Sequence, residues 1–436
     1  MVKFHGFSKR KAVHKSIKPT LAIDFIEQPS HPVSFINQLP YAVLDKNVLW
    51  LSISEQDINF PTSLTNELRL FSDYVKLDEQ EEEARNILLH DVEITTQSVF
   101  PNAYIEAFGS FPVGLSTFLS DLDVTILGVD QPRAQLQGCV EMKDGNCGTA
   151  EPRADRDNKR SSEDTGVKMG SDVSVKFRDE DDRVMRLIYL EQVYTAIQSC
   201  SWAHKTDLWR RARVPIIHLT HRNSVQCDVC INMPQHSTVV VVRGLQERSG
   251  PALFVLSAFL KIFLKQLSLD MPFTGGLGSY KLYVLIAKHI ERHPEHVADK
   301  LAPRLGELLL SFLEFYGDRR NLHADVVVEM AGAETVSFER TSKVHEIRMA
   351  FEKAHSVLRG AEHRRQQRLL SGKEDAAAAL AGNRRPSGSM LAGLLNAAHL
   401  ARLRNQLRAR CHRYLSHRAV SCSAGKSHSS LGEGEG

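Results

Sequence analysis

Two short segments restrict this chain more than anything else in it. In residues 122–127 and 225–231, apolar side chains alternate with other types: Leu122, Val124 and Ile126 in the first, Val225, Cys227, Val229 and Ile231 in the second. Successive side chains of a strand point to opposite faces, so each segment reads as a strand with one face in a core. The opposite faces are acidic. Asp121 and Asp123 share one side of the first strand, and Asp228 projects from the free face of the second. Carboxylates held side by side repel one another unless a cation lies between them, and hard divalent cations take oxygen ligands. If the two strands are neighbours, three carboxylates surround a two-ion site suited to in-line phosphoryl transfer. A bare D-x-D also arises in surface turns. Here it follows Gly109-Ser110, where a glycine lets the backbone approach a phosphate and a hydroxyl can bind pyrophosphate.

The rest of the chain sets the context. Its 436 residues suffice for two domains, and a net charge of +3 by itself points to no polyanionic partner. The ends are more basic than the middle, in Lys3, Lys9, Arg10, Lys11, Lys15 and Lys18 and again beyond Arg359. No stretch is long and apolar enough to cross a bilayer, and the first residues lack a signal-peptide core. Seven scattered cysteines suit reduced thiols in the cytosol or nucleus. Cys227 and Cys230 stand three apart on a strand, which sends their sulfurs to opposite faces and argues against half a zinc site. His289, His293 and His296 read as an exposed helix end, because Pro294 keeps them off one helix face.

Hydrophobic spacing divides the chain as follows. Residues 1–40 are irregular and basic. Residues 41–99 contain two helices, broken near Glu79–Glu83, that fold back onto a later helical domain. Residues 100–245 form a strand-rich domain with strands at 103–108, 122–127, 214–219 and 225–231 and a helix at 184–197. Within it, residues 131–183 are rich in Gly, Ser and charge, and read as a disordered insertion. Residues 246–358 are helical, at 253–267, 280–292, 305–316 and 344–358. Residues 359–436 form a basic low-complexity tail, with an amphipathic stretch at 391–410 that is either solvated or a docking element. Lys261 and Lys265 share a face of the 253–267 helix, where they either clamp a triphosphate or simply face solvent.

Read together, Gly109-Ser110-x-x-x-Gly114-Leu115 and Ser120-Asp121-Leu122-Asp123 resemble the signature of the DNA-polymerase-β-like nucleotidyltransferases. Ala212-Arg213-Val214-Pro215-Ile216-Ile217, Asp228-Val229-Cys230-Ile231-Asn232 and Phe273-Thr274-Gly275-Gly276-Leu277-Gly278-Ser279-Tyr280 are similar to blocks of its Trf-type poly(A) polymerases, in family order. The resemblance implies an α/β plus α fold: a polymerase-β-like palm with a mixed sheet, packed on a helical PAP-associated domain, with the active cleft between them. It implies adenylate addition to RNA 3′ ends from ATP with Mg²⁺ or Mn²⁺, the metal ligands being Asp121, Asp123 and Asp228. Gly109, Ser110, Lys261, Lys265 and Ser279 would hold phosphates, Tyr280 would stack on the base and Asn232 would bond the ribose. The partners implied are RNA, a nucleoside triphosphate, and a zinc-knuckle RNA-binding protein with an RNA helicase in a TRAMP-like complex feeding the exosome, in the nucleus or also the cytoplasm and away from membranes. The sequence departs from the pattern at Val113, usually threonine, at His218, usually lysine, and across 329–340, where a base-recognition stretch has no counterpart. A uridylyltransferase or relaxed-specificity tailing enzyme, and an inactive RNA- or helicase-binding scaffold, remain as alternatives.

Overall fold

The computed structural model describes residues 64–129, 171–212, 214–232, 236–299, 302–329, 335–370 and 389–428. The basic N-terminus, residues 41–63 and residues 130–170 of the expected insertion lie outside them.

The chain enters through α1 (Leu64–Val75) and α2 (Glu79–Val99). Asp78 separates the two by capping α2: its carboxylate accepts from the Glu81 N–H at 2.8 Å while Glu81 accepts from the Asp78 N–H at 3.0 Å. A mixed sheet follows, built from β1 (Tyr104–Phe108), β2 (Leu122–Leu127), β3 (Ala203–Trp209), β4 (Ile216–His221) and β5 (Gln226–Ile231), in the order β1-β2-β5-β4-β3. Only β2 and β5 run parallel; the other pairs are antiparallel. One face of the sheet carries Leu122, Val124, Ile126, Ile217, Leu219, Cys227, Val229 and Ile231. It packs against Leu88 and Val92 of α2 and Leu190, Val193 and Ile197 of α3 (Ser171–Gln198). The period-two alternation therefore does what it promised, with Leu122, Val124, Ile126, Cys227, Val229 and Ile231 on one side.

Three readings change here. The expected 184–197 helix begins at Ser171, so the last residues assigned to the insertion belong to an element that covers the sheet. The edge strand β3, which sequence reading had passed over, pairs with β4, its Asp207 opposite His218. And α2 packs on the sheet, while only α1 joins the helical domain.

That helical domain comprises α4 (His236–Ser249), α5 (Pro251–Gln266), α6 (Ser279–Arg292), α7 (Leu305–Gly317) and α8 (Val344–Leu370), with a hairpin of β6 (Val327–Glu329) and β7 (Thr335–Ser337). Its core centres on α5, where Leu253, Leu256, Phe259, Leu260 and Phe263 are all buried, so the helix is apolar nearly all round. The β1–β2 loop adds Val113, Leu115, Phe118 and Leu119 to this same core, tying the palm to the helical half.

The C-terminal segment overturns the expectation of a tail. Leu391, Leu394 and Leu395 are buried in the helical core, and Glu67 of α1 accepts from the backbone of Met390 at 2.8 Å. The chain then crosses to the palm as α9 (Ala397–His428), which lies along α2. Arg404, 3% exposed, donates to Glu81 at 2.8 Å and to the Lys76 carbonyl at 2.6 Å, and lies over the rings of Tyr74 and Phe118. Removing one partner of such a buried pair strands the other charge away from water, which typically costs about 3 kcal/mol or more. Arg404→Met is therefore expected to destabilise the full chain by about 3 kcal/mol, read as the midpoint shift in urea, whereas Arg402→Met on the exposed side of α9 is expected to change it by less than about 0.5 kcal/mol.

Candidate active site

The register of the sheet brings the acidic residues together. Asp123 of β2 stands directly beside Asp228 of β5, Asp228 beside His218 of β4, and His218 beside Asp207 of β3. Residues in register share a face, so these four form one row across the side of the sheet opposite the α2–α3 layer. Asp121, immediately before β2, is close enough to raise the pKa of both Asp123 and Asp228. The three carboxylates predicted from alternation thus meet, from segments more than a hundred residues apart.

Their electrostatics call for a cation. Burial first, then the charges of Asp228 and Asp121, push the Asp123 carboxyl up to about 7, with Lys261 opposing. Burial also raises Asp228, but His218 counters it through an Nδ1–Oδ1 contact of 2.6 Å. Burial lowers the His218 pKa, and the bond and charge of Asp228 outweigh it, so the net direction is up. His218 stands where the resembled family usually has lysine and is bonded to the third carboxylate. Gly109 closes the other side. Its φ is +72°, and a Cβ there would lie 2.2 Å from Asp123 Oδ2, so only glycine lets the turn abut the carboxylate. A crowded all-carboxylate donor set with a raised pKa fits hard divalent cations, and Asp121, Asp123 and Asp228 are the residues that would hold them.

The cationic side chains lie at the Asp121 end of the row. Lys261 Nζ donates to Ser120 Oγ at 3.3 Å and to the Tyr283 hydroxyl at 3.2 Å, and Lys265 Nζ donates to the Leu119 carbonyl at 3.3 Å. Both expected lysines therefore reach the residues that lead into Asp121. Ser110 is buried and within 2.9 Å of Ser116 Oγ. Ser279 opens α6 and is exposed at a helix N-terminus, where anions are favoured, and Tyr280 follows, half-buried against the helical core. Asn232 is not brought into the row. It lies four residues beyond Asp228 in a left-handed conformation (φ 49°), with its side-chain amide donating to the Val129 carbonyl at 3.3 Å.

Sequence reasoning missed the support behind the row. Arg85, buried on α2, donates to the Ser120 carbonyl at 3.0 Å and to the Glu81 carbonyl at 2.9 Å, linking the loop before Asp121 to the residue that Arg404 holds. No local pattern announces such a long-range tie. The histidines also differ from expectation: His289 is fully buried beside Ser311 at 2.8 Å, while His293 and His296 lie 3.2 and 3.8 Å from the exposed Glu295 carboxylate. Cys227 lies in the sheet core and Cys230 outside that cluster, as their spacing required.

Comparison with known proteins now has a geometry to rest on. Residues 64–235 match the family described as poly(A) RNA polymerase, mitochondrial-like, central palm domain. Over those residues the palm is similar to the palm of poly(A) RNA polymerases. Among curated relatives, the chain is 23% identical to poly(A) RNA polymerase CID14 of Cryptococcus neoformans over 282 residues, which is 64% of this chain and 30% of that protein. It is 34% identical over 119 residues to poly(A) RNA polymerase cid14 of Schizosaccharomyces pombe, 26% of this chain and 17% of the other. The chain thus spans a third or less of either relative. In fold it is similar to the polymerase core of TRAMP, an RNA surveillance complex, with a TM-score of 0.52 and 18% identity over 76% of this chain and 94% of that one. The mixed sheet with its helical companion thus shares the fold of that polymerase core.

The Asp123 shift has a consequence for stability. A carboxyl held at about 7 against an ordinary 3.8 favours the fold in acid, and that contribution is lost as pH rises towards 7. Without divalent cations at pH 8, Asp123→Asn is expected to raise the melting temperature by about 3 °C or more, with the gain fading by pH 4. Equal melting temperatures at pH 8 would show that the row carries no such repulsion.

Proposed function

We propose that the chain is a template-independent RNA 3′-terminal nucleotidyltransferase that adds adenylates from ATP. The observation that supports it most is the in-register pairing of Asp123 with Asp228 beside Asp121, in a palm similar to that of poly(A) RNA polymerases. Bound at these carboxylates, two Mg²⁺ or Mn²⁺ ions would lower the pKa of the RNA 3′ hydroxyl and neutralise charge on the departing pyrophosphate. Lys261, Lys265 and Ser279 hold the triphosphate at the Asp121 end. Gly109 lets the loop close on Asp123, Ser110 steadies that loop, and Tyr280 lies against the base. His218 orients Asp228 and offsets its charge. Asn232 keeps a second amide proton and its carbonyl oxygen for the ribose, beside the bond to the Val129 carbonyl.

A second reading is uridylate addition. Lys265, which uridylyltransferases of this superfamily tend to carry, points its ammonium at the residue two before Asp121. The cellular setting we infer is nuclear RNA surveillance with a zinc-knuckle RNA-binding protein, a helicase and the exosome. Its support is the likeness to relatives named poly(A) RNA polymerases, since the chain covers only part of them.

Extension of a labelled RNA with each of the four nucleoside triphosphates and Mg²⁺ tests the reading. ATP is expected to be incorporated well ahead of UTP, and the reverse order would install the second reading. Asp121→Ala and Asp123→Ala are expected to reduce incorporation to background while remaining folded by circular dichroism. Gly109→Ala, which displaces the Asp123 carboxylate, is expected to lose about a hundredfold. Wild-type rates in either aspartate variant would refute the two-ion site.

A further inference from the structure

One group of rings belongs to neither core. Trp209 closes β3, and Phe273 sits in the short 3₁₀ turn Pro272–Thr274 that precedes α6. Neither packs in the sheet core or the helical core. Phe273 is 64% exposed, a large apolar ring held in water at the junction of the two domains. The two rings meet across that junction edge to face, with centroids 5.7 Å apart and planes at 69°. Trp209 also stacks on His218, with centroids 5.1 Å apart and planes at 19°, and His218 is the residue bonded to Asp228. A ladder of rings therefore leads from the third carboxylate out to an exposed ring at the junction of the two domains.

Such rings offer the chemistry that recognises a nucleobase. Stacking a base on an aromatic side chain contributes about 1–3 kcal/mol and tolerates any base, since every base has a π face. The charges say which base. Lys261 and Lys265 reach Ser120 and Leu119, so the triphosphate belongs at the β2 end of the carboxylate row. The opposite end, through Asp228 and His218 towards β3, is left for the strand that brings the attacking hydroxyl. We propose that Trp209 and Phe273 form a stacking platform for a nucleobase at this junction, and that this base belongs to the 3′-terminal nucleotide of the RNA. The platform holds the RNA end with its hydroxyl turned towards Asp228. This rests on the RNA-extending function proposed above.

The exposed member carries the test, because its loss removes no core contact. A single-stranded RNA with 2-aminopurine as its 3′-terminal base is titrated with the full chain, and KM is measured separately for RNA and for ATP. The wild-type chain is expected to quench the fluorophore on binding. Phe273→Ala is expected to lose most of that quenching and to raise the KM for RNA by about tenfold, with the KM for ATP unchanged. Phe273→Tyr, which keeps the ring, is expected to restore both. A rise confined to the KM for ATP would assign the base to the incoming nucleotide and overturn the RNA assignment. Unchanged quenching and unchanged constants in an active Phe273→Ala protein would overturn the platform itself. A wild-type chain that quenches but extends nothing would defeat the proposed activity alone, and one that neither binds nor extends the RNA would defeat both.

Discussion

Carboxylates crowded on one face of a sheet resist folding, and much of this structure answers that resistance. Burying Asp123 beside Asp228 and Asp121 costs energy that the sheet's other face returns through Leu122, Val124, Ile126, Val229 and Ile231 packed on α2 and α3. His218 offsets one charge from the side, Lys261 and Lys265 approach from the helical half, and Arg85 fixes the loop from behind. A charge-rich row fixed on a sheet is what the proposed phosphoryl transfer by positioned ions would demand.

The same logic explains why the palm cannot be separated from its helical companion. The β1–β2 loop that delivers Asp121 is also a core element of the helical domain through Val113, Leu115, Phe118 and Leu119. Geometry at the carboxylates is therefore coupled to the packing of α5 and α1. Val113, where the family usually carries threonine, is buried in that core, so its departure is an apolar side chain in an apolar place.

Much of the fold was legible from local pattern. Strict alternation placed β2 and β5 and put the aspartates on the correct face, and the acidic run Glu79–Glu83 marked the break between α1 and α2. What local pattern could not convey was long-range company. The edge strand β3 alternates weakly because its residues are half-exposed on both sides. The C-terminal stretch is basic and low in apolar content, which in isolation describes a solvated segment. Yet Arg404 is buried because Glu81, Tyr74 and Phe118 wait for it, and nothing near Arg404 in the chain says so.

The course of residues 389–418 bears on the order in which such a protein can be made. Protein synthesis runs from the N-terminus, so Glu67 and Glu81 emerge more than three hundred residues before Met390 and Arg404, the groups that satisfy them. Until those arrive, the two buried carboxylates lack these particular ties, and the segment that bridges the domains is missing. A nascent or prematurely terminated chain can contain every carboxylate of the row and still lack the tie from Arg404 through Glu81 and Arg85 to Ser120.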